Sequence, residues 1–304
     1  MSLYPDPRRL GEFFYWVNER HSIWEKRVQG ERKPWTNDPI LRDNKFTNVF
    51  RQLDRGSRWL IESWLKPRFS KPHNIAEAGL LAANIATYRM FNWWETGAEI
   101  GWQQSFSPVR IQRKLGPKLA RGEKVFTSAH IIRSEFGRPK LDSVLDILKP
   151  IWAERTTMAR VLIRSSATIE GAFNLFMRYP FIGEFMAYEF ATDLTYTWVL
   201  DGASDRMTWA NPGPGATRGL RYMWEGLKGR DELIWAMRFL LAMSQKPGVL
   251  GARVPSLEMR DIEMSLCEVY KYWKIKDGSG QARVKYDGRT NSMLELSDEV
   301  SQGR

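Results

Sequence analysis

The spacing of apolar residues constrains this chain more than any other feature of its sequence. Between residues 10 and 28 apolar side chains recur every three or four positions, as on one face of an amphipathic helix. Further helices are predicted at 46–64, 75–94, 108–119, 141–164, 169–179, 184–200, 231–244 and 257–276. We therefore predict an all-α fold.

A chain of 304 residues is long enough to bury a sizeable core in one domain or in two closely packed lobes. We predict a single helical domain over residues 1–280, with lobes at 1–165 and 166–280 as the alternative. Residues 281–304 are rich in Gly, Ser and charged side chains and lack an apolar period, which is typical of a loosely ordered tail.

The chain is strongly basic, with a formal net charge of +11 at pH 7. Basic domains of this kind usually bind polyanions, so DNA or RNA is the first expectation for a partner. A membrane surface is less favoured because the basic residues are spread along the chain and not clustered on one apolar helix. The 14 tryptophans suit both a core and a pocket that stacks nucleobases.

Several classes of site are excluded by what the sequence lacks. Cys267 is the single cysteine, and the three histidines are far apart, so we predict no disulfide, no metal site and no cofactor. The phosphate-binding pattern G-x-x-x-x-G-K followed by Ser or Thr does not occur. No run of 18 apolar residues exists and no secretory segment opens the chain, so we expect a cytoplasmic protein.

The stretch PWTNDPILRDNKFTNVFRQLDRGSR (34–58) carries the densest set of candidate site residues. Thr36 or Asp38 is predicted to cap a short helical turn that begins at Pro39. The following helix would place Asn48, Arg51 and Arg55 together on its polar face. This face is either an ordinary solvated surface or a cleft wall that binds an anionic group.

Two other segments are candidates for anion contact. In NPGPGATRGL (211–220) the glycines would let backbone amides approach a ligand, and Arg218 lies in the first turn of the next helix, where the helix dipole disfavours a cation. The alternative there is an ordinary tight connection. The basic segment 108–121 is either an edge that follows phosphates or a solvated face.

The helices predicted at 169–179 and 184–200 are joined by Tyr-Pro-Phe-Ile-Gly. This junction is similar to a helix-hairpin-helix turn, which directs backbone N–H groups at a DNA phosphate. Gly183 keeps the second glycine of that turn, but Phe181 replaces the first. A plain helical hairpin is the alternative.

Separated motifs give the chain a family resemblance over residues 12–275. It resembles the α-glutamyl/putrescinyl thymine pyrophosphorylase family, also described as amino acid:DNA transferases and as the helical domain that accompanies 5-hydroxymethyluracil DNA kinases. The motifs are PWT-x-DP-I-L and K-F-T-N-V-F-R-x-L-D-R in 34–55, with Glu19, Arg20 and Arg27 before them, FIGEFMAYEFATDL (181–194), NPGPGATRGL (211–220) and DIEMSLCEVYKY (261–272).

The resemblance also implies a DNA-glycosylase-like helical architecture, with a helix-hairpin-helix element near 170–200. In such glycosylases a catalytic aspartate follows the hairpin, and Asn211 would occupy its place here. An amide cannot stabilise an oxocarbenium ion as a carboxylate does, so base excision would be lost. A fold that flips bases would then serve chemistry on the base itself.

The implied reaction displaces phosphate or pyrophosphate from an activated 5-hydroxymethyluracil in DNA. The nucleophile is an amine, either a free amino acid or a polyamine, and a separate DNA kinase would supply the activated base. The DNA carries modified thymine, and the enzyme works in the host cytoplasm if a phage encodes it.

The implied reaction needs cations, a base and groups that recognise the uracil. Arg51 would stabilise the leaving group, and the general base would be Asp54, Asp38 or Asp193. Substrate and phosphate binding would fall to Arg20, Arg27, Thr47, Asn48, Arg55, Asn211 and Arg218, with Trp35 or Trp94 stacking on the base.

Two other functions compete with this transferase. One is a glycosylase that excises a modified uracil with Asp193 or Asp205. The other is a non-catalytic helical domain that presents DNA to a separate kinase. A carboxylate within reach of Asn48 and Arg51 inside a closed pocket favours the transferase, whereas an exposed arginine stripe without a carboxylate near it favours the binding domain.

Overall fold

The structure is a computed structural model that describes residues 4–127, 137–164 and 167–280. These residues form α-helices joined by turns and short 3₁₀ segments, and no β-strand occurs among them, so the predicted all-α class is confirmed. The tail predicted at 281–304 lies outside the described residues. In the described part of the chain no helix is long and apolar enough to span a membrane.

The helices follow one another at short intervals. In chain order they are α1 (Pro7–Val28), α2 (Pro39–Asp43), α3 (Arg55–Leu60), α4 (Ile75–Phe91), α5 (Trp94–Ile100), α6 (Pro108–Ala120), α7 (Lys140–Ala153), α8 (Arg155–Leu162), α9 (Ile169–Phe176), α10 (Glu184–Leu194), α11 (Pro214–Met223), α12 (Arg230–Ser244) and α13 (Met259–Lys276). Short 3₁₀ segments lie at Arg51–Leu53 and Lys66–Arg68, and a π-helical turn, Ile61–Leu65, extends α3.

The contacts divide the chain into two compact units. Unit 1 consists of residues 1–54 together with 206–304, and unit 2 of residues 55–205. Unit 1 is thus built from two separate pieces of chain, whereas the alternative lobe boundary at 165 and 166 falls within unit 2. The single domain over 1–280 stays a prediction.

The core of unit 1 is formed by the apolar faces of α1, α11, α12 and α13. Phe13, Trp16, Leu220 and Trp273 are fully buried there. In unit 2 the Ala-rich α4 packs against α7, α8 and α10, and nearly all of its side chains are buried. A helix at the centre of a bundle is expected to lack a polar face, as α4 does.

Aspartates cap the first two helices, and the second of these caps was predicted. Asp6 caps α1, and its Oδ1 accepts from Arg8 N at 2.8 Å. Asp38 caps α2, where its Oδ1 accepts from Ile40 N at 2.8 Å and Leu41 N at 3.1 Å, and Pro39 is the first helical residue. Pro has no N–H to satisfy at that position, which explains why it is tolerated.

The prediction of a continuous helix over 46–64 is wrong. The chain between α2 and α3 is irregular except for the 3₁₀ turn, and Asp54 adopts an extended conformation with φ −76° and ψ 139°. Asp54 Oδ1 accepts from both N and Nδ2 of Asn48, at 3.0 and 2.9 Å. These bonds close a loop that competes with helix formation, so Asn48, Arg51 and Arg55 do not share one helical face.

Other predicted helices differ at their ends for local reasons. Pro150 lies inside α7, and the break between α7 and α8 comes later, at Glu154. The helix predicted to reach residue 200 ends at Leu194. The hydroxyls of Thr195 and Thr197 then donate to the carbonyls of Thr192 and Leu194 at 2.6 and 2.7 Å, which favours turns over a continued helix.

The glycines of segment 211–220 serve helix packing. A Cβ on Gly219 would lie 2.7 Å from Leu266 O, and one on Gly215 would lie 2.2 Å from Cys267 Sγ. Both positions therefore allow α11 to approach α13 more closely than any larger residue would permit. For these two glycines, the geometry supports the alternative interpretation, an ordinary tight connection, over contact with a ligand.

We expect Gly219→Ala to destabilise the fold by about 1–3 kcal/mol, because the added methyl meets backbone that cannot move aside. Gly11→Ala is the matched control. Gly11 lies inside α1 with nothing within 4 Å of its Cβ position, so the same change should stabilise by roughly 0.5–1 kcal/mol. Urea unfolding of both variants measures the difference, and equal effects of the two changes would contradict the close packing.

Candidate functional site

Segment 45–48 of unit 1 is irregular backbone that charged side chains hold in place. Arg20 of α1 donates from Nε to Thr47 O at 2.9 Å, and from Nη2 to Phe46 O at 3.3 Å and Asn48 Oδ1 at 2.7 Å. Arg20 was predicted on the polar flank of its helix, but only 6% of it is exposed. Its guanidinium lies inward because it replaces the backbone partners that a helix would have supplied.

Helix α13 holds the same segment from its other side. Glu268 Oε2 accepts from Thr47 N at 2.9 Å and from Lys271 Nζ at 2.7 Å, and Lys271 also donates to Lys45 O at 3.0 Å. Thr47 therefore has its N–H bound to a carboxylate and its carbonyl bound to a guanidinium. Such charge-assisted bonds are stronger than neutral ones and position the segment firmly.

Asp54 is the carboxylate at the centre of this network. Burial raises the pKa of Asp54 to about 6, and the charge of Glu268 acts in the same direction. The Asn48 N–H and the positive charges of Arg20 and Arg51 act against that rise. Both hydrogen bonds to Asp54 end on Oδ1, and no other described residue donates to Oδ2. A carboxyl with a pKa near neutrality and one open oxygen can accept a proton at physiological pH.

Asp38 lies in a different environment. Its Oδ2 accepts from the hydroxyls of Tyr15 at 3.1 Å and Tyr272 at 2.8 Å, while its Oδ1 caps α2. Burial, together with the Asp38 carboxylate, raises the pKa of both tyrosines. Both oxygens of Asp38 are thus occupied, which favours a structural role over that of a general base.

The ring of Trp35 is bordered by cations. The guanidinium of Arg27 lies 5.3 Å and the ammonium of Lys33 5.1 Å from its centroid. Trp35 Nε1 donates to Glu31 O at 2.7 Å. Arg27 and Trp35, predicted separately to bind phosphate and to stack on the base, thus form a cation–π contact, which orients the guanidinium.

Asn211 and Arg218 belong to the start of α11. Asn211 is buried, and its Oδ1 accepts from Arg230 Nη2 at 2.7 Å. Arg218 is exposed. No hydrogen bond or ion pair among the described residues joins either of them to Asp54, but the charges of Arg218, Glu268 and Lys271 all act on Cys267 of α13.

Three predicted site residues lie in unit 2. Asp193 is fully buried and paired with Arg89, whose Nη2 donates to Asp193 Oδ1 at 2.9 Å while its Nε donates to Oδ2. The guanidinium of Arg55 lies 4.5 Å from the ring centroid of Trp94. Asp205, a residue of the competing glycosylase interpretation, accepts from the N–H groups of Ile169 and Glu170 at 2.8 and 2.9 Å and so supports the start of α9.

The structure thus brings together Arg20, Thr47, Asn48 and Asp54, with Arg51 close enough for its charge to act on Asp54. Glu268 and Lys271 complete the network, although neither was among the predicted site residues. The signal that could have revealed them is their spacing of three residues, which places them on one face of α13 within the motif at 261–272. Among the described residues, no group of His, Cys, Asp or Glu side chains could hold a metal ion.

The comparisons with known proteins identify a family for most of the chain. Residues 8–281 match the family described as "5-hmdU DNA kinase, helical domain". The chain belongs to this family. Every described residue of the network around Asp54 lies inside the matched range.

Bacillus phage SP10 has a relative of this helical domain. Its 5-hmdU DNA kinase is 28% identical over 291 residues, which cover 85% of this chain and 44% of that kinase. The chain therefore spans less than half the length of that relative. No solved structure matches it. The predicted relationship to the helical domain of 5-hmdU DNA kinases is confirmed, whereas the links to the pyrophosphorylases and to glycosylases stay predictions.

A second buried carboxylate in unit 1 titrates near neutral pH. Burial, helped by the charge of Glu258, raises the pKa of Asp261 to about 7, and its Oδ2 accepts from Glu258 N at 2.9 Å in the capping box of α13. This pKa in the folded protein exceeds the unfolded value of about 3.9. Protonated Asp261 therefore stabilises the folded protein, and this contribution to the free energy of unfolding is complete below about pH 4. It is lost as the pH rises through about 7.

We expect the free energy of unfolding to fall by on the order of 2 kcal/mol between pH 4.5 and 7.5 through Asp261, with Asp54 adding to the effect. Asp261→Asn keeps an acceptor for the cap but does not titrate, so it should flatten the profile. Urea unfolding across this pH range is the measurement, with exposed Asp231→Asn as the control. An unchanged profile in Asp261→Asn would show that the carboxyl is ionised throughout.

Proposed function

We propose that this chain is a transferase that acts on modified thymine in DNA. It displaces pyrophosphate or phosphate from an activated 5-hydroxymethyluracil, and an amine takes the place of the leaving group. The observation that carries the proposal is Asp54, a carboxylate with a raised pKa held by Asn48 in a network of fixed charges.

The chemistry assigns one proton transfer to Asp54. The amine arrives as an ammonium ion and gives a proton to Asp54 Oδ2, which exposes the nitrogen lone pair. The nitrogen then forms a bond to the exocyclic methylene while the C–O bond breaks and its electrons leave with the phosphate. The proton on Asp54 passes to water, and the carboxylate is restored.

The leaving group carries several negative charges, so cations must stabilise it. Arg51 is the cation that we assign to this task, because its charge already reaches Asp54. Arg20 is engaged with the 46–48 segment and serves to position it. The side chain of Asn48 is bound at both ends, which suits orientation of Asp54 better than recognition of the uracil.

The two competing functions are less well supported. The carboxylates that a glycosylase would use are engaged elsewhere, Asp193 in a buried ion pair and Asp205 at the start of α9. A purely DNA-presenting domain does not need a carboxyl with a raised pKa. Phosphoryl transfer from ATP is not proposed for this chain, because its sequence lacks the G-x-x-x-x-G-K pattern.

The test uses the purified chain and a short duplex that carries one pyrophosphorylated 5-hydroxymethyluracil. Pyrophosphate release is followed with and without a mixture of amino acids and polyamines, and the digested DNA is analysed by nucleoside mass spectrometry. We expect release that depends on the amine and a new aminated nucleoside. An abasic site would identify a glycosylase, and DNA binding without any product would identify a presenting domain.

A further inference from the structure

The hairpin between α9 and α10 exposes three large apolar side chains to solvent. Phe181 is 59% exposed, Phe185 49% and Met177 37%, all within nine consecutive residues. Isolated exposed apolar residues are common, but a group of large ones on one turn usually marks an interaction surface. This surface lies entirely within unit 2.

The conformation of Phe181 supports a functional origin for that exposure. Phe181 has φ +63°, in the left-handed region that bulky residues rarely adopt. Its side chain is largely in solvent, so packing within the protein does not compensate for the strain. Such outliers persist mainly where a side chain has a task at its position.

A pocket of about 140 Å³ lies beside Phe181. Its apolar walls are Ile147 and Pro150 of α7 together with Pro180 and Phe181 of the hairpin. Ser143 and Asp146, also on α7, form part of its polar edge. Apolar walls with a few polar groups at one edge suit the face and the edge of a nucleobase.

Basic residues flank this pocket. Asp146 pairs with Arg138 at 2.7 Å and Lys149 at 2.6 Å. One helical turn away on the same face of α7, Asp142 accepts from Gln112 of α6 at 3.0 Å, so α6 runs next to the pocket. Most cations of this helix and its C-terminus are bound elsewhere: Arg110 donates to Gln103 and Ser105, Lys114 and Lys118 bind Glu99, and Arg121 pairs with Glu123. Arg113 follows Gln112 in the chain and is the cation of α6 that we assign to this surface.

We propose that the hairpin, α7 and α6 together form a surface that binds an unpaired stretch of DNA, in which Phe181 stacks on a base and Arg113 of α6 contacts a phosphate. This inference rests on the proposed action on DNA and adds where the strand is held. An aromatic ring supplies stacking without sequence selectivity, and guanidinium groups neutralise the backbone.

The experiment measures binding of unmodified DNA, so no chemistry is involved. Fluorescence anisotropy of a labelled oligonucleotide, single-stranded or as a duplex, gives the affinity at several salt concentrations. Phe181→Ala should weaken single-strand binding by roughly 5- to 150-fold without changing the salt slope, because no charge is removed. The loss for the duplex should be smaller, since its bases are already stacked.

Two further variants separate stacking from charge and from strain. Arg113→Ala should lower the salt slope by about 0.7, the value for one single-strand phosphate contact. Phe181→Gly should raise the melting temperature by about 2–4 °C because it relieves the left-handed strain, yet weaken binding as alanine does. Phe69→Ala is the control, since Phe69 is a phenylalanine of unit 2 with similar exposure, 50%.

The proposal is overturned if Phe181→Ala binds single strands normally, or if Phe69→Ala loses as much affinity. Self-association of the wild type that disappears in Phe181→Ala would assign the surface to a second copy of the chain. Failure of this proposal leaves amine transfer intact, whereas failure of the proposed function leaves DNA binding intact.

Discussion

Asp54→Asn is expected to lower the single-turnover rate of amine transfer by about 10²- to 10⁴-fold, the usual contribution of a general base. Asparagine keeps an oxygen that can accept from Asn48 N and Nδ2, so the loop should persist and DNA binding should change little. The loss would therefore come from the missing proton acceptor. Asp43→Asn, at an exposed carboxylate of unit 1, is the matched control.

The pH profile provides an independent check on the role of Asp54. A general base works when ionised, so the rate should rise with pH through about 6, the raised pKa of Asp54. Glu268→Gln removes a charge that raises this pKa, so the acidic limb should move to lower pH. A profile that does not move, together with a normal rate in Asp54→Asn, would place the base elsewhere.

Arg51 gives the matching test for the leaving group. Arg51→Ala should slow pyrophosphate release by about 10²- to 10³-fold, by analogy with the loss of one donor to a developing oxyanion. Lysine should rescue only part of the rate, because a point charge does not reproduce the guanidinium fork. If Arg51→Ala turns over normally, the Asn211 and Arg218 segment becomes the next candidate.

The largest effect on stability is expected for Asp193→Asn, which should lower the free energy of unfolding by ~3–5 kcal/mol. The change removes one partner of a fully buried ion pair and leaves the charge of Arg89 without a counter-charge. Asn92 at 2.7 Å and Ser57 at 2.8 Å remain as neutral acceptors, but they cannot compensate for a carboxylate. Urea unfolding of unit 2, followed through its own tryptophans, measures the loss.

Two comparisons make this test specific. Asp201→Asn, at an exposed aspartate of the same unit, should change stability by less than about 0.5 kcal/mol. Replacing both partners, Asp193→Leu with Arg89→Met, should recover much of the loss because no buried charge remains. A stable Asp193→Asn protein that had lost activity would instead point to a catalytic carboxylate.

The sequence predicted the helices well where the deciding interactions are local. The apolar period of α1, the cap of α2 by Asp38 and the extent of α13 depend on residues a few positions apart. It also pointed to Asn48, Arg51 and Asp54 as site residues. The reason given for them, one polar helical face, was wrong, because the side chains of Asn48 and Asp54 close a loop instead.

The partners of that loop were beyond sequence reasoning. Glu268 meets Thr47 across 221 positions of chain, and Arg89 meets Asp193 across 104. Nothing in the local pattern around either residue encodes such a distance.

The sequence by itself thus determined an all-α protein, the cap of α2 by Asp38 and the residue types available to the proposed chemistry. Only the tertiary structure decided which of the candidate carboxylates has a raised pKa. Asp38, Asp54 and Asp193 have the same side chain, and their differences arise from what surrounds them. Burial beside Glu268 raises the pKa of Asp54, two tyrosines occupy Asp38, and Arg89 neutralises Asp193, because the free energy of a charge depends on its solvation and its neighbours.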